Sequence, residues 1–119
     1  MDSIPGCKEM KFGLGFLRVK VKVSFADTVE EANDQATRFL GLDEIVDCED
    51  ADGYCLAVLR RCYIWIGPGC VRSQVFHECY HAVHRILEAI GSEGEDEELN
   101  AHLCEHITEK VLTAWEQRS

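Results

Sequence analysis

The sequence predicts an α+β domain with the element order β-α-β-β-α-α, a small sheet packed by helices. Three observations predict it: one strictly alternating apolar stretch near the N-terminus, two short β-type runs in mid-chain, and three segments of helical period, two of which close the chain. No internal repeat, linker or low-complexity stretch interrupts them, so the 119 residues read as one domain with a single modest core.

Residues 1–15 carry Pro5, Gly6, Gly13 and Gly15 without a period, which predicts an irregular lead-in. From Phe16 to Phe25, Leu17, Val19, Val21, Val23 and Phe25 alternate with Arg18, Lys20, Lys22 and Ser24, the pattern of a half-buried strand with a basic outer face. Such a face can meet an acidic partner, although alternating lysine is also the ordinary wet side of a sheet. Thr28 followed by Glu31 forms a capping box, Val29 to Leu40 fits a helix, and Gly41 stands where a helix C-terminus favours a left-handed residue. The acidic run Asp43 to Gly53 reads as a solvated loop, since its carboxylates lack the spacing of an EF-hand calcium loop. Tyr54 to Leu59 and Cys62 to Ile66, separated by Arg60 and Arg61, predict a hairpin, and Gly67-Pro68-Gly69 ends it. A helix follows from about Cys70 or Val71 to Ile90, with Gly91 as its C-cap. A last helix runs from about Glu97 to Trp115, with Asp96 as its cap. Leu103, Cys104, Ile107, Val111, Ala114 and Trp115 form the apolar stripe of that helix. Glu98, His102, Glu105, His106 and Glu109 take the other side.

Composition narrows the function classes. The hydrophobic fraction of 46% and charged fraction of 29% are those of a globular protein. No apolar run approaches the roughly 18 to 20 residues of a membrane span, and Met1 to Pro5 lacks the regions of a signal peptide, so a cytoplasmic protein without membrane association is expected. Seven cysteines, an odd number without any C-x-x-C pair, predict reduced core thiols rather than a cysteine zinc site or a disulfide framework. A net charge of -10 argues against nucleic-acid binding, which needs Lys and Arg to displace counterions. It allows instead an acidic inhibitor that mimics DNA and occupies a basic protein partner.

The second-last helix carries His77-Glu78-Cys79-Tyr80-His81, an H-E-x-x-H pattern. Given the chain's composition, a shuffled sequence would hold this pattern roughly 0.02 times. Histidines four apart stack on one helix face and can hold one zinc ion. Glu78 is rotated about 100° from His77, where its carboxylate can reach a metal-bound water without ligating the metal. On the wheel His84, Glu88, His81, Arg85 and Glu78 fall within about 120° of His77 and of one another, opposite Val75, Cys79, Ala82, Ile86, Ala89 and Ile90. A catalytic zinc takes three protein ligands and keeps a fourth position for water. The candidates for the third are His84, Glu98 and His102. His84 lies on the same straight helix, whereas Glu98 and His102 come from the helix that returns beside it.

These residues resemble those of a family, the small zincin-like metallopeptidases of the gluzincin type, including those of phages and prophages. Their H-E-x-x-H is followed, after a short loop, by E-x-x-A-[Y]-L, and this chain reads Glu98-Leu99-Asn100-Ala101-His102-Leu103. The likeness spans roughly Tyr54 to Trp115. It implies a minimal zincin-like domain with Zn2+ held by His77, His81 and Glu98, and Glu78 as general base. It also implies a peptide or protein substrate and a place in the cytoplasm of a bacterial or phage-infected cell. His102 stands where relatives often carry Tyr, which leaves open whether it joins or replaces Glu98. Tyr80, His84, Arg85 and His102 are open candidates for supporting the transition state. The hairpin strand Cys62 to Ile66 is expected to present an edge to an extended substrate.

Two other readings of the same residues differ in what they predict. A structural zinc domain closed by His77, His81, Glu98 and His102 would fold with metal but turn nothing over. A carboxylate-bridged di-iron site would need a second Glu-x-x-His beside Glu78-x-x-His81, and the sequence has none.

Overall fold

A computed structural model describes residues 9–15, 17–48, 52–91 and 97–118. They form an α+β fold of seven elements: strand β1 (Glu9–Leu14), β2 (Val19–Ser24), helix α1 (Val29–Leu40), β3 (Gly53–Val58), β4 (Arg61–Ile66), α2 (Arg72–Ala89) and α3 (Glu97–Gln117). The four strands make one mixed sheet in the order β1-β2-β4-β3. β1 runs antiparallel to β2, β2 parallel to β4, and β4 antiparallel to β3.

Each sheet face has its own cover. Val19, Val21 and Val23 of β2 share a face with Cys62, Ile64 and Ile66 of β4, and these pack under α2 and α3 against Val75, Cys79, Ile86, Leu103, Ile107 and Val111. On the other face Tyr63 and Trp65 pack against Ala32, Ala36 and Leu40 of α1. Trp65 Nε1 donates to the Ala26 carbonyl at 2.9 Å, and the Tyr63 hydroxyl donates to Gln35 Oε1 at 3.1 Å, so the buried aromatics also fix the entry and middle of α1. α1 begins and ends as its sequence dictates: Thr28 Oγ1 accepts from the Glu31 amide at 3.2 Å, and Gly41 is left-handed at φ 68°.

Several boundaries differ from the sequence expectation. The stretch read as an irregular lead-in contains β1, in which Met10, Phe12 and Leu14 turn toward the core; residues 1–8 lie outside the described ones. The first alternating run is strand only from Val19, because Leu17 and Arg18 belong to the β1–β2 turn and Arg18 has φ 56°. The element order is therefore β-β-α-β-β-α-α. The expected cap Asp96 lies outside the described residues, as do Glu49 to Ala51 of the acidic loop. β4 is not an edge: it pairs with β2 on one side and β3 on the other. Among the described residues, the hairpin strand with an open side is β3. The described cysteines 48, 55, 62, 70, 79 and 104 are all free thiols, four of them buried.

The β3–β4 turn contains a residue at odds with its backbone. Leu59 has φ 52° and an exposed side chain, and a left-handed conformation costs an L-residue with a bulky side chain about 1–2 kcal/mol. Leu59→Asn should raise unfolding stability by about 0.5–1 kcal/mol, since asparagine tolerates that region. A urea titration showing no gain would mean that the Leu59 side chain makes compensating contacts.

Candidate metal centre

Helix α2 buries one stripe and exposes another, and the motif residues divide between the two. Val75, Cys79, Ala82, Val83, Ile86 and Leu87 face the core. His77, Tyr80 and His84 are exposed and His81 is half-buried, on the side turned to solvent. One helical turn apart, the His77 and His81 rings meet edge to face with centroids 4.5 Å apart and their Nε2 atoms 3.0 Å apart. Two imidazole nitrogens sharing a tetrahedral zinc at about 2.0–2.1 Å would stand about 3.3 Å apart. The pair is thus set within a few tenths of an ångström of chelating distance. Tyr80 packs edge to face on His84, with centroids 4.5 Å apart, and continues the same strip.

Glu78 points elsewhere, along the flank of α2 toward β3. A methyl group on Gly53 would lie 3.6 Å from both Glu78 Cγ and Cys70 Sγ, ordinary contact distance, which places the Glu78 stem against the start of β3. The same methyl would meet the Trp65 carbonyl at 2.8 Å, which bars any side chain there. Half-buried between helix and strand, the Glu78 carboxyl is held above its ordinary 4.5 by desolvation, against the opposing charges of His77 and His81. Its negative charge in turn helps to hold up the Cys55 and Cys79 thiols, which burial above all pushes to about 12. Thiols so placed are inert as nucleophiles. Gly53, Cys55 and Cys70, which complete the surroundings of Glu78, were not among the sequence candidates; the only sequence trace of this crowding is the glycine at the start of β3.

A carboxyl whose native value is raised binds more protons in the folded than in the unfolded chain. Its contribution to stability is full below the ordinary carboxylate range and is lost as pH rises through the raised native value. Glu78→Gln should therefore stabilise the metal-free protein at neutral pH, with the gain shrinking as pH falls through the raised native value and gone below the ordinary carboxylate range. Thermal melts of both chains across pH 3.5–8 read this directly, and a gain independent of pH would assign it to packing instead.

The residues expected to supply a third ligand do not lie beside His77 and His81. Glu98 and His102 form an exposed i,i+4 pair on α3, His102 Nε2 3.7 Å from Glu98 Oε2, with side chains 89% and 71% exposed for Glu98 and His102 respectively. α3 returns antiparallel to α2, with Arg72 bound to Glu116 at 2.6 Å and Cys79 beside Cys104 and Thr108. That register sets His77 and His81 alongside the middle of α3 and leaves Glu98 level with the last turns of α2, on the order of 10 Å further along the axis. Among the described residues, no group of three or more His, Cys, Asp or Glu is arranged to hold a metal ion. The histidine pair has a spacing close to that of two of the three protein ligands of a zinc ion; the triad of His77, His81 and Glu98 is not assembled. His106 packs its ring on Phe12 of β1 at 5.9 Å between centroids and takes no part. Arg85 approaches Glu88 at 3.9 Å, and its charge reaches Cys55 of β3.

No helix among the described residues is long and apolar enough to cross a membrane. No protein-family model, curated protein or solved structure matches the chain.

Proposed function

We propose that the chain is a zinc-dependent hydrolase acting on peptide bonds, with His77 and His81 as metal ligands and Glu78 as general base. The observation that carries this reading is the 3.0 Å pairing of the two Nε2 atoms beside a half-buried carboxyl that feels both imidazoles. The site has the part of a zinc hydrolase that one helix can supply, and its third ligand must come from elsewhere. By the family resemblance that ligand is Glu98, which would have to move toward the pair. A bound zinc supplies an acidified water and polarises a carbonyl. The work of the chain's own residues is separate from that. Glu78, raised by desolvation and feeling both imidazoles, would take a proton from a water at the histidine pair and return it to a leaving amine. The open edge of β3 runs below it and can pair with an extended peptide through main-chain hydrogen bonds.

The exposure of Glu98 and His102 favours a second reading, an acidic binding protein whose histidines hold no metal. Metal analysis of the protein from zinc-replete medium separates the two. About one zinc per chain, lost in His77→Ala and in Glu98→Ala but kept in His102→Ala, supports the hydrolase. Loss only in His77→Ala leaves the metal on the histidine pair with a donor other than Glu98. No zinc in a folded protein favours the acidic binder.

A further inference from the structure

α1 covers only the β3–β4 half of its sheet face, and the half it leaves open is basic. The register makes it so: Lys11 of β1 lies directly opposite Lys22 of β2, and Lys20 lies opposite Arg61 of β4. Like charges opposed across strands repel, and Glu9 beside Lys22 offsets part of that repulsion. Beside these strands is a cleft of about 430 Å3 lined by Lys11, Lys22, Arg38 and Arg61, with Gln35, Phe39 and Glu9. Four cations and one carboxylate converge there, in a chain whose net charge is -10. Lys22, only 12% exposed, has Glu9 at 3.5 Å. Arg38 is held by Asp34 at 2.6 Å, and Arg61 lies over the Phe39 ring at 5.6 Å while donating to the Phe39 carbonyl at 2.7 Å. Three of the four cations are thus positioned by the fold; Glu9 and Asp34 offset Lys22 and Arg38, and Lys11 and Arg61 supply the surplus positive charge of the cleft.

We propose that this cleft is a binding site for a compact phosphate-bearing ligand. A doubly charged phosphate can accept from the two opposed lysines at once and offset the repulsion that the register imposes. The shape favours a compact anion over an extended one, because the cations come from β1, β2, β4 and α1 and meet in one hollow rather than along a track. Nucleic acid fits less well, since the acidic remainder of the surface repels a long polyanion while leaving a small one free to enter. The site lies on the sheet face opposite α2 and α3, and so is independent of the histidine pair.

Calorimetric titration of metal-free protein with inorganic pyrophosphate, in a phosphate-free buffer of low salt, tests the proposal. Saturable one-to-one binding is expected, weakened at least tenfold by added salt and at least tenfold in the Lys11→Gln/Arg61→Gln double variant, whose circular dichroism should match that of the unmodified chain. Lys22→Gln alone should weaken binding in the same direction. A nucleoside diphosphate in a parallel titration distinguishes the source: tighter binding than pyrophosphate places the organic part on Phe39, and equal binding shows that the phosphate alone is read. Absence of saturation by either compound at millimolar concentration overturns the site, as does unchanged affinity in the double variant. Tighter binding of an oligoglutamate peptide than of pyrophosphate overturns it too, in favour of an acidic protein partner.

Discussion

Glu78→Gln should lower peptide hydrolysis by about two to four orders of magnitude while zinc content stays that of the unmodified chain, the loss expected when a general base is removed. The substitution keeps the shape of the side chain over Gly53 and removes only its capacity to accept a proton. His77→Ala should instead lose metal and activity together, because each histidine supplies half of the pair. Retained hydrolysis in Glu78→Gln, with metal in place, would remove Glu78 from the chemistry. The same variant is expected to melt higher without metal at neutral pH. Opposite effects of one substitution on activity and stability are what the proposed role of this partly dry carboxylate predicts.

Ile64→Ala should destabilise the fold by about 3 kcal/mol and lower the melting temperature by roughly 10–15 °C, a large share of a typical domain's stability. Ile64 is 0% exposed and sits in the inner strand β4, between Val23 and Cys55, under α2 and α3. No neighbour can close the gap without shifting the sheet. Ile45, 77% exposed in the loop after α1, provides the contrast: Ile45→Ala should stay within about 0.5 kcal/mol. Equal effects in a denaturant titration would mean that β4 is not the centre of the core.

What the sequence disclosed, and what it withheld, follows from which interactions are local. The alternation of Val19, Val21 and Val23, the Thr28 cap and the left-handed Gly41 are determined within a few residues, and they stand where expected. β1 was missed because Gly13 and Gly15 mask the spacing of Met10, Phe12 and Leu14, a pattern completed only by pairing with β2. The reversal of edge and inner strand had a visible sign: Cys62 to Ile66 is continuously apolar, as a strand covered on both faces must be, whereas β3 has the intermediate burial of an edge. The pairing of His77 with His81 is a property of one helix and was legible. The position of Glu98 depends on how two helices slide past each other, which sequence spacing does not encode. The basic cleft escaped for the same reason, since Lys11, Arg38 and Arg61 meet only across strands and a helix.

The parallel seam between β2 and β4 governs how the chain reaches this fold. The β1–β2 and β3–β4 hairpins each join near neighbours and can close within about ten microseconds. The seam sets Lys20 beside Arg61, roughly forty positions away, at a loop-closure cost of about 3 kcal/mol before any of its contacts form. Neither hairpin completes the sheet until that happens, so joining the halves is the expected slow step of folding. Substitutions at Val21, Val23 and Ile64 should therefore slow folding, and substitutions at the α3 core positions Leu103 and Ile107 should mainly speed unfolding, as chevron plots of the variants would read.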